Sequence, residues 1–151
     1  MNIEKKLSVL SKIGKVLNEN NIVWAVGGSL LLYLKGKVDE FHDIDIMVME
    51  GNVKELKEIL QGYGDLALPN PNAQYKTRHF LEFTIDQVEV DVMAGFVIIH
   101  KGKEYDCSLQ LESITEYFLI NDIHIPLQSL DEWRRYYVLM GRTEKVEMID
   151  R

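Results

Sequence analysis

The stretch "HFLEFTIDQVEVDVMAGF", residues 79–96, constrains the fold of this chain more than any other. Apolar and polar residues alternate on both sides of Asp86-Gln87. Alternation of period two sends successive side chains to opposite faces, so two half-buried strands joined by a tight turn are expected. If Asp86-Gln87 is a two-residue turn, Ile85 pairs with Val88, Thr84 with Glu89 and Glu82 with Asp91. Val88, Val90 and Val92 then occupy one face, and Glu89 and Asp91 the other. Like charges directly across a strand pair repel. Such a face needs open water or a shared cation.

An earlier segment repeats the pattern. "DIDIMV" (43–48) alternates, with Ile44, Ile46 and Val48 on the core side. Asp43 and Asp45 leave the other face about 6.6 Å apart along the strand. Hard divalent ions such as Mg²⁺ take carboxylate oxygens and keep positions open for water and phosphate. A lone Asp-x-Asp is common on a solvated strand, so the neighbouring sequence has to decide. Just upstream, "IVWAV" (22–26) is a short apolar strand broken by Gly27-Gly28-Ser29, and "SLLLYLK" (29–35) continues as a buried helix closed near Gly36. A helix start offers free N–H groups, and glycine lets an anion approach closely. Ser29 is expected to cap the helix and to offer its hydroxyl to a phosphate oxygen.

The remaining chain gives a mixed α/β domain with an antiparallel half. Leu7, Leu10, Ile13 and Leu17 recur at helical spacing, so residues 3–19 should form a surface helix. Val53, Leu56 and Leu60 mark a second over 52–61. "LPNPNAQY" (68–75) is rich in turn formers and reads as a surface loop. Further hairpins are expected at Lys101-Gly102 and Asn121-Asp122. "SLDE" (129–132) is a capping box that opens a helix through Met140, and Gly141 stands where a C-terminal glycine belongs.

Composition narrows the function. The 151 residues suit one domain and carry a formal charge of −7. That charge argues against gripping a long nucleic acid, which needs clustered Lys and Arg. The single cysteine, Cys107, excludes an internal disulfide and a cysteine-based zinc cage. It reads as a buried small hydrophobe. No apolar run reaches the roughly 18–20 residues of a membrane span, and the amino-terminal apolar positions are threaded with lysines. A cytoplasmic location is expected.

Gly27-Gly28-Ser29, thirteen intervening residues, Asp43-Ile44-Asp45 and a later apolar-flanked Asp91 together resemble the nucleotidyltransferase superfamily typified by DNA polymerase β. The small members look closest: minimal, lincosamide-type and toxin-related nucleotidyltransferases. "IPLQSLDEW" and "GRTEKVEMI" extend the similarity towards the carboxyl end. The resemblance implies a mixed, mostly antiparallel sheet flanked by helices. It implies transfer of a nucleoside monophosphate from an NTP to a hydroxyl of a small molecule or protein. By motif position, Gly28 and Ser29, with Gly27, would hold the β- and γ-phosphates. Asp43 and Asp45 would hold Mg²⁺ (or Mn²⁺) on the triphosphate, and Asp91 would join them on a second ion beside the acceptor. Asp43, Asp45 and Asp91 are thus the candidate catalytic residues, with Glu82 and Glu89 in reserve.

Among nearby cations Arg78 is the preferred counter-charge for the triphosphate, ahead of Lys35, Lys37 and Lys76. Tyr75 is a candidate for stacking on a base, and His42 for steadying a metal ligand. Trp133 and Tyr137, at i and i+4, read as core. Little chain follows Ser129, so a second subunit is one way to complete an acceptor pocket, which leaves a homo-oligomer open. A rival class is a non-catalytic relative of the same fold that binds a nucleotide or a partner, for example a toxin–antitoxin component. Three retained aspartates favour the enzyme.

Overall fold

A computed structural model describes residues 2–69 and 77–151. The chain opens with helix α1 (Ile3–Glu19), capped by the Asn2 side chain, which accepts from the Lys5 N–H. Strand β1 (Trp24–Val26), helix α2 (Gly28–Leu34), strand β2 (Ile44–Val48) and helix α3 (Val53–Gln61) follow. Next come β3 (Asp65–Leu66), β4 (His79–Ile85), β5 (Val88–Ala94), β6 (Val97–His100) and β7 (Lys103–Asp106). The chain finishes with β8 (Glu116–Ile120), β9 (Ile123–Leu127), α4 (Leu130–Met140) and α5 (Thr143–Asp150). Residues 70–75 of the expected surface loop, with Tyr75, and also Lys76, lie outside the described residues.

Seven strands form one sheet in the order β3-β4-β5-β2-β1-β9-β8, and β6 and β7 form a separate hairpin. The three expected two-residue turns are present. Asp86-Gln87, Lys101-Gly102 and Asn121-Asp122 all have positive φ at both positions, the conformation that matches the twist of a tight hairpin. The β4–β5 register is the expected one, with Glu82 opposite Asp91 and Thr84 opposite Glu89. The parallel pairings β2–β5 and β1–β9 make the sheet mixed, and the other four pairings are antiparallel.

Leu10, Ile13 and Leu17 of α1 are fully buried, and the helix lies so close to the sheet that a Cβ on Gly14 would stand 2.6 Å from Ile125 Cδ1. The inward residues of β2 and β5, Ile44, Ile46, Val88, Val90 and Val92, meet this core. Period-two alternation therefore leaves their acidic neighbours on the opposite side of the sheet. The capping box of α4 is formed in both directions between Ser129 and Glu132, and Gly141 ends that helix at φ 74°. Cys107 is buried, and burial pushes its thiol up to about 11. Among the described residues, no helix is long and apolar enough to cross a membrane.

Candidate active site

The site is built on the acidic face of β4, β5 and β2. Asp45 and Asp91 are direct neighbours in the parallel β2–β5 ladder, and Glu82 faces Asp91 from β4. One row of carboxylates thus crosses three adjacent strands. Two residues towards the strand starts, the Asp43 carboxyl hydrogen-bonds that of Glu89, which Thr84 faces in turn. Parallel pairing of β2 with β5 is what joins the two acidic segments.

The glycine turn is tied to the same aspartate. The Gly27 N–H donates to the Asp45 carbonyl at 3.1 Å, and the Ser29 N–H donates to the Asp45 carboxylate. Gly28 stands at φ +60°, and a Cβ there would overlap the carboxylate, with Asp45 Cγ at 2.9 Å. Glycine is required here on both counts, conformation and space. The helix cap differs from the expected one. Gly27, not Ser29, is the N-cap of α2, without any side-chain capping bond, and Ser29 is the second residue of the helix. The reason is that the turn is pinned by Asp45, which already uses the Ser29 N–H. The Ser29 hydroxyl instead accepts from Lys145 Nζ at 3.1 Å.

Above this floor lies a cavity of about 330 Å³. Asp45, Asp91, Gly28 and Ser29 line one side; Phe80, Met93 and Phe96 line the sheet and the turn after it. Trp133, Tyr137 and Met140 of α4, Arg142, and Lys145 of α5 form the remaining wall. Trp133 and Tyr137 are buried, as expected of core residues, but they also face this space. The Trp133 indole N–H donates to the Gln128 side-chain oxygen at 2.6 Å, and its ring rests on Gly27, where a Cβ would come within 2.5 Å. The residues after Ser129 thus supply a wall of the cavity from the same chain.

The expected site residues do not all reach this cavity. Asp45, Asp91, Gly28 and Ser29 line it. Asp43 lines an adjoining recess with Lys6, His42, Gln87 and Glu89, and Gly27 lies beneath Trp133. Arg78 stands apart: its guanidinium is held by Glu50, with the closest contact at 2.7 Å, and it also reaches Asp106 and Ser108. Lys35 pairs with Glu116, and Lys37 donates to the Arg151 carbonyl. The cation beside the glycine turn is Lys145, which the sequence reading passed over. A lone lysine near the end of the chain has no periodic or motif signal to distinguish it from a surface charge.

Electrostatics mark the floor as short of positive charge. Asp45 is pushed up to about 8, first by burial and then by the charges of Asp91 and Asp43. Asp91 rises to about 7, again through burial, then through Asp43, Glu82 and Glu89. Asp43 is raised by burial and by its Glu89 partner. Among the described residues no three His, Cys, Asp or Glu side chains are drawn close enough to hold a metal ion as they stand. The donor chemistry nevertheless suits a hard divalent cation: adjacent carboxylates with no full counter-charge, open to a cavity.

The fold has counterparts among solved structures. The chain superposes on a candidate nucleotidyltransferase from Thermotoga maritima with a TM-score of 0.78 and 28% identity, over 99% of this chain and 93% of that one. It superposes on ANT(2'')-Ia, solved with adenylyl-2''-tobramycin, with a TM-score of 0.64 and 16% identity over 96% and 87% of the two chains. A third match is the lincosamide antibiotic adenylyltransferase LnuA, solved with lincomycin, at 0.61 and 12% over 99% and 97%. A search of curated proteins gave no match. The fold these neighbours share is that of the nucleotidyltransferases, and the family match makes the chain an enzyme of that class. The family model for aminoglycoside-2''-adenylyltransferases matches residues 9–150, and the chain belongs to that family.

Proposed function

We propose that residues 1–151 act as one nucleotidyltransferase domain that moves a nucleoside monophosphate from an NTP to a hydroxyl of a small molecule. The observation that carries this reading is the side-by-side placement of Asp45 and Asp91 at the floor of a cavity, against a glycine turn. Asp43, Asp45 and Asp91 would hold Mg²⁺ or Mn²⁺. A divalent ion so held supplies charge neutralisation for the triphosphate and lowers the pKa of the acceptor hydroxyl. Gly28, which lines the cavity beside Asp45, would present its backbone to the phosphates, and Gly27, beneath Trp133, seats the turn. Ser29 Oγ and Lys145 Nζ, already hydrogen-bonded to one another, contribute a donor and a positive charge on the same side. The Asp91 carboxylate takes or positions the proton of the acceptor hydroxyl. Arg78 is assigned no part in this set, since Glu50 and Asp106 hold it.

A small acceptor is supported by the modest cavity and by the family description, and two of the structural neighbours were solved with antibiotics or their adducts. The aromatic wall of Phe96, Trp133 and Tyr137 gives flat apolar surface for a base or an acceptor ring. A cytoplasmic setting, where NTPs and Mg²⁺ are abundant, belongs to the same reading.

The test is thermal melting with each NTP, with and without Mg²⁺ or Mn²⁺. Nucleotide at 100 times its Kd should add about 2.7 kcal/mol, only when metal is present, and Asp45→Asn should abolish the gain. No shift with any NTP under either metal would refute the proposal.

A further inference from the structure

The two edges of the seven-stranded sheet are unlike. One is β3, two residues long and carrying Asp65. Short, charged edges resist pairing with other chains. The other is β8, with the sequence Glu116-Tyr117-Phe118-Leu119-Ile120. From Tyr117 to Ile120 it has no charge and no proline, the usual protections of an edge. Nine large apolar side chains are exposed among the described residues, and four of them gather here: Leu111 (59% exposed), Tyr117 (58%), Leu119 (57%) and Phe118 (37%).

The hydrogen-bonding direction of β8 follows from its neighbour. Gln128 N–H donates to Val26 on β1, so Gln128 points away from β8 and the alternate β9 residues, Leu127, Ile125 and Ile123, point towards it. Their partners Glu116, Phe118 and Ile120 therefore spend their backbone groups on β9. Tyr117 and Leu119 turn theirs to the open edge.

We propose that β8 is a self-association edge, on which two copies of this chain pair antiparallel about Phe118. That register sets Tyr117 of each copy against Leu119 of the other. Both are residues with outward backbone groups, so each pair exchanges two hydrogen bonds. Phe118 meets Phe118 at the two-fold axis as a closely spaced pair. Glu116 falls opposite Ile120 rather than another carboxylate, and Lys35 of its own chain already neutralises it at 2.5 Å. Apolar surface thus meets apolar surface in a chain whose formal charge of −7 disfavours most other self-contacts. The strand and Leu111 bury roughly 400–600 Å² per copy, at the low end for a specific interface, which suits micromolar association. β9 and β1 separate β8 from β2, so the active-site cavity of each copy stays open in the pair.

The test is sedimentation velocity from ~1 to ~500 µM, with amide exchange read at both ends. A reversible dimer is expected, with the Tyr117 and Leu119 amides protected only at high concentration. Leu119→Lys should weaken association by at least about tenfold, in line with the action of edge lysines. Leu119→Pro should do the same, because it removes a donor that β9 does not use. Both variants should keep the melting temperature gain with NTP and metal expected of the parent. A monomer at every concentration, with both amides exchanging freely, would overturn the proposal. So would a dimer that tolerates both substitutions.

Discussion

Gly28→Ala isolates the contact that joins the glycine turn to the aspartates. Gly36 provides the reference, because it also has positive φ, +76°, yet nothing lies within 4 Å of a Cβ placed there. Alanine at Gly36 meets only the left-handed backbone cost, about 1–2 kcal/mol, offset by roughly 0.4–1 kcal/mol from a stiffer unfolded chain. Its net cost is about 1 kcal/mol. Alanine at Gly28 meets the same backbone cost and also overlaps the Asp45 carboxylate. Asp45 Cβ would be 3.1 Å away, fixed on a strand held between β1 and β5. The carboxyl must therefore swing off and leave the Ser29 N–H without its acceptor, at about 1–3 kcal/mol. With the net backbone cost the total comes to about 2–4 kcal/mol. For 151 residues the unfolding entropy converts each kcal/mol to roughly 3 °C. Differential scanning calorimetry should show about 3 °C lost in Gly36→Ala and about 6–12 °C in Gly28→Ala. Placing Gly28→Ala in an Asp45→Ala background should erase most of the excess, since the overlapping atoms are gone. A Gly28→Ala protein within about 0.5 kcal/mol of Gly36→Ala would refute the reasoning.

The pH dependence has a definite sign. Asp45 and Asp91 have folded pKa values of about 8 and about 7, above the ordinary carboxylate value near 3.9. Their contribution is fully present below the unfolded pKa and is lost as pH rises through the folded ones. In metal-free buffer, stability should fall by about 1–3 kcal/mol between pH 6 and 9, after discounting for solvent screening. Asp45→Asn should flatten that slope in a series of melts. Mg²⁺ binding, followed by calorimetry in buffers of different ionisation enthalpy, should release protons in the same pH range. Lys145→Ala should raise the Kd for an NTP roughly 10–100-fold, the loss expected of one charged hydrogen-bond donor, in a direct binding titration. Arg78→Ala should leave that Kd within about twofold, because its guanidinium is committed to Glu50 and Asp106.

The elements of this protein were legible in its sequence because the signals are short-ranged. Alternation around Asp86-Gln87 set the hairpin and even its register, and Ser129 and Gly141 marked the ends of α4. Asp43, Asp45 and Asp91 were found as a motif, as were Gly27, Gly28 and Ser29. What the motif could not tell was how its parts touch. The parallel pairing of β2 with β5 brings Asp45 beside Asp91 across 46 positions of chain, and no local pattern encodes a parallel neighbour. Lys145 reaches Ser29 from 116 residues away, and Arg78 is drawn to Glu50 and Asp106, each 28 away. The cavity wall of Trp133 and Tyr137 looked like core because helical spacing reports only which face is apolar. Periodicity and turn chemistry are properties of neighbouring residues, so the sequence alone determined strands, helices and an acidic face. Only tertiary packing, which trades distant side chains against one another for charge and space, decided which cation stands at the glycine turn and which surface closes over it.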